Sequence, residues 1–143
     1  MITIPELAAE ALGGFLATQM NRRFGSIQAG MIERTSSAAR LALECIGNSD
    51  ALYHNVEHTM LATLAGYDIM NGRVLLMPTL PSDYAHVILA CLFHDIGYVR
   101  GVLNGDNADE YVTDAKGGRP NCPADHPTPP CCPITSIGQS FTC

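Results

Sequence analysis

The sequence predicts an all-α fold, and three observations carry that expectation. Apolar residues recur at helical intervals in four successive segments, helix-capping residues and glycines bound those segments, and no stretch alternates as a strand would. Arg73 to Met77 is the only strand-like run, and it is short. Of the 143 residues, 47% are hydrophobic, enough to bury one core without disulfide or metal staples.

The first segment opens on Thr3-Ile4-Pro5-Glu6, the spacing of a capping box with proline in the first turn. Leu7, Ala11 and Phe15, with Leu12 and Leu16 alongside, mark one face of a helix reaching about Phe24, with Gly25 as its C-terminal cap. Ser26 is placed to cap a second helix, whose stripe runs through Ile27, Met31, Ala38, Ala42, Cys45 and Ile46 to Gly47-Asn48. Asn55 caps a third helix, expected to close at Asn71-Gly72. Pro78 and Pro81 punctuate the connector, and Ser82 or Asp83 caps a fourth helix reaching about Ile96. Apolar residues surround that last helix almost completely, so it is expected at the centre of the core.

Beyond Gly101 the sequence offers a short polar helix over Asp106–Lys116, and then the composition changes abruptly. The final 25 residues hold six prolines and four cysteines with no periodic apolar pattern, which divides the chain into a helical domain, 1–118, and an irregular Pro/Cys-rich tail, 119–143. The tail reads first as an abnormal ending from a shifted frame or truncation, then as a flexible tail. A zinc knuckle of Cys122, His126, Cys131 and Cys132 matches no established spacing.

Several function classes are excluded at this level. A net charge of −6, with eight Lys and Arg in all, leaves no basic footprint for nucleic acid. The longest apolar run, Ala85 to Phe93, is too short for a bilayer and contains His86, so no membrane partner is expected. Glu6 and Glu10 interrupt the N-terminus and no basic residue precedes Arg22, which argues against a secretory signal and for the cytoplasm. Cys45 and Cys91 read as small core residues in a reducing compartment.

The chemistry concentrates in two stretches, Tyr53-His54-Asn55-Val56-Glu57-His58 and Cys91-Leu92-Phe93-His94-Asp95-Ile96-Gly97-Tyr98. If helices three and four form an antiparallel pair, His58 to Asn71 climbs about 20 Å and Ser82 to His94 returns about 18 Å at the helical rise per residue. The start of one and the end of the other then share a level, and His58 faces His94 and Asp95. Two imidazoles and a carboxylate suit Zn, Mn, Fe or a similar divalent ion. The C-terminal end of helix four favours a cation there, and the first turn of helix three favours an anion such as phosphate. His54, at or just outside the helix start, is placed to protonate a leaving oxygen. Glu57 reads as a helix-dipole residue, His86 and Arg73 as surface groups, and Arg100 likewise.

These residues resemble the HD-domain metal-dependent phosphohydrolases, over roughly residues 25–116. The Tyr-His-Asn-x-x-His form is similar to the opening signature of the cyclic-nucleotide phosphodiesterase branch. The resemblance implies an HD-domain-like helical bundle, one or two divalent metal ions (Zn, Mn, Fe or Mg), and hydrolysis of a phosphate-ester or nucleotide-like small molecule by metal-activated water. It assigns His58, His94 and Asp95 as metal ligands, Asp95 as a candidate bridge between two ions, and His54 as the general acid. Two positions depart from the pattern. Tyr98 stands where many members have histidine, and the family's final aspartate ligand has only Asp106, Asp109, Asp114 and Asp125 as candidates. On the resemblance the bundle is therefore incomplete at its C-terminus. The alternatives are a degenerate HD-fold regulatory or interaction module without catalysis, and a bundle whose histidines satisfy one another without metal.

Overall fold

The computed structural model describes residues 2–25, 28–49 and 51–99. It is an all-α helical bundle: α1 (Ile4–Phe24), α2 (Ala29–Gly47), α3 (Val56–Leu76) and α4 (Pro81–Phe93), followed by a 3-10 turn at Ile96–Tyr98. Among the described residues there is no strand. The strand-like run from Arg73 is instead the last turn of α3, with Met77 as its C-cap. Ser26, Arg100, the polar helix expected at 106–116, the boundary at 118/119, the knuckle residues and the four downstream aspartates lie outside the described residues.

The ends of α1 follow the sequence. Thr3 Oγ1 accepts from the Glu6 amide at 3.3 Å while the Glu6 carboxylate accepts from the Thr3 amide at 2.6 Å, so two otherwise orphaned donors are satisfied reciprocally. Gly25 ends the helix at φ 67, a left-handed conformation that favours glycine, and its N–H donates to the Asn21 carbonyl at 2.9 Å. From there α1 lies along α2 on small residues. A Cβ added at Gly13 would sit 3.1 Å from the Ser36 carbonyl oxygen, and the Ser36 hydroxyl donates to the Gly13 carbonyl at 3.0 Å. Ala9, Ala39 and Ala42 are buried in the same core as Leu12, Leu16, Met20 and Leu43.

Three expectations about helix positions need correcting. The centre of the bundle is α2, which packs against α1, α3, α4 and the 3-10 turn. α4 instead leaves Asp83, His86 and Ala90 exposed along one side, burying Tyr84, Ala85, Ile88 and Leu92 on the other. Its run of apolar residues includes alanines, which tolerate water far better than leucines do. α4 also begins before Ser82, with Leu80 as N-cap, Pro81 in the first turn and Asp83 reaching back to accept from the Leu80 amide at 3.2 Å.

The third correction concerns α3, which does not stop at Asn71-Gly72. Asn71 Oδ1 accepts from Arg23 Nη2 at 2.8 Å and from the Tyr84 hydroxyl at 3.3 Å. Its side chain is thus committed sideways, tying the end of α1 to the start of α4, and does not compete with the helix backbone. α3 consequently runs about one and a half turns past Asn71, and Leu75 and Leu76 are each 87% exposed. Tyr84 is buried beneath Arg23, whose guanidinium carbon lies 5.8 Å from the ring centroid. Burial, with Tyr67 alongside, holds the Tyr84 phenol above its ordinary pKa.

Candidate metal centre

The start of α3 and the end of α4 do meet. Asn55, in extended backbone, caps α3 by accepting from the His58 amide at 3.0 Å, and its Nδ2 donates to the Leu52 carbonyl at 3.0 Å. The loop before it is tied to the 3-10 turn: Ser49 Oγ accepts from the Ala51 amide at 3.2 Å and donates to the Tyr98 carbonyl at 3.4 Å. These bonds hold His54 and His58 over the end of α4.

That end differs from the expected glycine stop. α4 finishes at Phe93, so the His94-Asp95 pair follows the helix instead of ending it. His94 keeps helical dihedrals, but Asp95 turns to φ −107, ψ 7, and the chain tightens into the 3-10 turn, with the Tyr98 amide donating to the Asp95 carbonyl at 3.0 Å. Neighbouring helical side chains would diverge by about 100°. The change at Asp95 brings its carboxylate back to the His94 ring.

Asp95 Oδ2 is the focus of the cluster. His54 Nδ1 lies 2.8 Å from it, His94 Nε2 3.0 Å and His58 Nε2 3.2 Å, and the last two nitrogens are 3.2 Å apart. The carboxylate side chain is 7% exposed, whereas the three imidazoles are 23–36% exposed on its solvent side. The donor atoms of His54, His58 and Asp95 all lie within 4.8 Å of one another, a group that can hold a metal ion. The His94 tautomer is decisive. Its Nδ1 is 2.7 Å from the Cys91 carbonyl, which can only accept, so Nδ1 carries the hydrogen. A neutral His94 therefore keeps its lone pair on Nε2, which lies 3.2 Å from His58 Nε2 and 3.0 Å from Asp95 Oδ2. Without a metal, His58 Nε2–H can donate to this lone pair and His54 Nδ1–H to Asp95 Oδ2; with one, the same nitrogens and the carboxylate turn their lone pairs to the ion.

The donor set fits a divalent metal on its own chemistry. Two imidazole nitrogens and one carboxylate oxygen, those of His54, His58 and Asp95, suit zinc and its first-row neighbours, and His94, a ligand on the resemblance, stands outside that group with its Nε2 3.2 Å from His58 Nε2. The ring N–H to backbone carbonyl bond of His94 is the usual outer support for a ligating histidine. Cys91 contributes that carbonyl and not its sulfur. The thiol lies on the α3 side, where a Cβ at Gly66 would meet it, and burial pushes its pKa up, favouring the neutral form.

All four residues proposed from sequence are thus brought together. His54 reaches the same carboxylate oxygen as the others, although the resemblance gave it a proton-donor role. Glu57 is exposed in the first turn of α3, as a dipole residue would be. His86 is exposed on α4, about 12 Å along the helix from His94. Arg73 is exposed in the last turn of α3, about 22 Å from His58. Sequence reading missed the Cys91 carbonyl, for which only the i, i+3 spacing at a helix end was a signal. It also missed two aromatic contacts: Tyr53 lies 4.6 Å from the His58 ring, and Tyr98 stacks on His54.

Among the described residues, no helix is long and apolar enough to cross a membrane. No curated protein and no solved structure matches the chain. A family model described as Npun_R2479-like matches residues 3–127 and so spans all four helices and every residue of the His/Asp cluster. The chain belongs to the Npun_R2479-like family.

Proposed function

We propose that this protein is a divalent-metal-dependent phosphohydrolase of HD type, acting on a phosphate-ester or nucleotide-like small molecule. The observation that carries the reading is the gathering of His54, His58 and Asp95, whose donor atoms lie within 4.8 Å of one another, with His94 Nε2 3.2 Å from His58 Nε2. His58, His94 and Asp95 would hold the ion, with His54 Nδ1 beside them. A bound divalent ion supplies Lewis-acid polarisation of a phosphoryl oxygen and acidifies a water molecule. The residues themselves contribute placement. Asp95 is fixed by burial, His94 by the Cys91 carbonyl, and the exposed imidazole edges leave the site open to a small substrate. The first turn of α3 presents backbone N–H groups at the same end, where the helix dipole favours an anionic ester. Free thiols at Cys45 and Cys91 support the cytoplasm as its compartment.

A second reading, a regulatory or interaction module of the same fold without catalysis, is favoured by one observation. Three histidine nitrogens already surround one Asp95 carboxylate oxygen at 2.8–3.2 Å, and a site filled by protein groups resembles a structural centre more than a catalytic one. Metal analysis of the purified protein, with turnover of aryl phosphomonoesters and phosphodiesters, tests both. Stoichiometric metal, lost in His94→Ala and Asp95→Ala together with hydrolysis, is the expected result. Metal without hydrolysis selects the module, and no stoichiometric metal overturns both readings.

A further inference from the structure

Tyr98 occupies the position at which the resemblance expects a histidine supporting a second metal ion, and here its ring has a different engagement. It lies flat on the imidazole of His54, with centroids 4.0 Å apart and planes within 4°. Tyr53 meets the same imidazole edge-on, with centroids 5.2 Å apart. His54 is the donor that most needs such support. His58 is held in the first turn of α3, and His94 and Asp95 directly follow α4, but His54 belongs to a loop between helices. No helical ladder fixes its ring, which is held at one edge by the Asp95 carboxylate and across its face and side by the two tyrosine rings. The 3-10 turn that carries Tyr98 begins one residue after Asp95, so a single tight turn places both the carboxylate and the ring that faces His54. The Ser49 hydroxyl, donating to the Tyr98 carbonyl at 3.4 Å, ties this turn to the loop that leads to His54.

We propose that Tyr98 is a positioning residue that clamps His54 with Nδ1 in the donor set, and that the centre takes a single divalent ion. Its donors are His54 Nδ1, His58 Nε2 and an Asp95 carboxylate oxygen, with His94 Nε2 alongside at 3.2 Å from His58 Nε2. This rests on the metal-binding half of the function proposed above and is independent of hydrolysis. Where a histidine would offer a further ring nitrogen, Tyr98 offers none.

The test is a competition titration of the full chain with Zn²⁺ against a chromophoric chelator. Wild type is expected to bind one equivalent. Tyr98→Leu should weaken binding by about 10- to 100-fold, the range for lost outer support, whereas Tyr98→Phe keeps the stacked ring and should stay within about threefold of wild type. Tyr98→Met is read in the same way if the leucine variant does not fold. The discriminating measurement is the double-mutant cycle with His54→Ala. If Tyr98 acts through His54, Tyr98→Leu should cost nothing further once the imidazole is gone. Equal losses in both backgrounds, an unchanged affinity in Tyr98→Leu, or two equivalents of zinc in wild type would each overturn the proposal. No zinc binding overturns it together with its parent reading. Zinc binding with the expected cycle but no ester hydrolysis removes the phosphohydrolase and leaves this assignment standing.

Discussion

Gly66→Ala would place a methyl group between α3 and α4 where they pack tightly, one turn of α4 before the His94-Asp95 pair. An ideal Cβ there lies 2.6 Å from Cys91 Sγ and 3.6 Å from both Cys91 Cβ and Val87 Cγ1. Ordinary carbon contacts begin near 3.5 Å, so the methyl fits against Val87 and overlaps the sulfur by about 1 Å. Two effects oppose each other. Replacing an interior helical glycine with alanine gains about 0.8–1 kcal/mol of propensity, and overpacking costs about 1–3 kcal/mol. The net expectation in wild type is a loss of roughly 0–2 kcal/mol. Removing the sulfur with Cys91→Ala deletes the clash and leaves the propensity gain, so Gly66→Ala should there be stabilising by about 0.5–1 kcal/mol. The coupling between the two sites is therefore about 1–3 kcal/mol, well above the error of a cycle. Urea unfolding of the four proteins, followed by circular dichroism, measures it. A Gly66→Ala effect equal in both backgrounds would refute the close approach of α3 and α4 on which the site geometry depends.

Two further outcomes follow from the same packing. Because burial raises the Tyr84 pKa above the free value of 10.0, the unfolded chain releases this proton first as pH rises. Stability should fall above about pH 10 by roughly 1.4 kcal/mol per pH unit for this group, and pH-dependent thermal melts should show a shallower alkaline fall in Tyr84→Phe. Asn55→Ala removes the cap of α3 and the bond to the Leu52 carbonyl. It should cost about 0.5–2 kcal/mol by chemical denaturation and weaken zinc binding, since the same residue holds His58 at the site; unchanged zinc affinity would separate the cap from the cluster.

How far the chain could be read without coordinates depends on the range of the interactions involved. The capping box at Thr3 and Glu6, the glycine end at Gly25 and the cap at Asn55 involve partners within four residues, so local sequence determined them. The meeting of His58 with His94 was also legible, because the rise per residue fixes where two antiparallel helices bring their ends. What failed was lateral. Asn71 looked like a helix terminator, but Arg23, 48 residues away, and Tyr84 hold its side chain, and α3 continues. α4 looked central because it is apolar, yet α2 is the helix with packed neighbours on most sides.

The site divides along the same line. Sequence alone singled out the candidate residues, because imidazoles and a carboxylate at two helix ends are unusual locally and their spacing brings them to one level. Only the tertiary structure decided their geometry. The turn at Asp95 aims one carboxylate oxygen at three histidines, the Cys91 carbonyl sets the His94 tautomer, and Tyr98 lies on His54 across a separation of 44 residues. Each is a relation of direction between groups that the helical period does not specify.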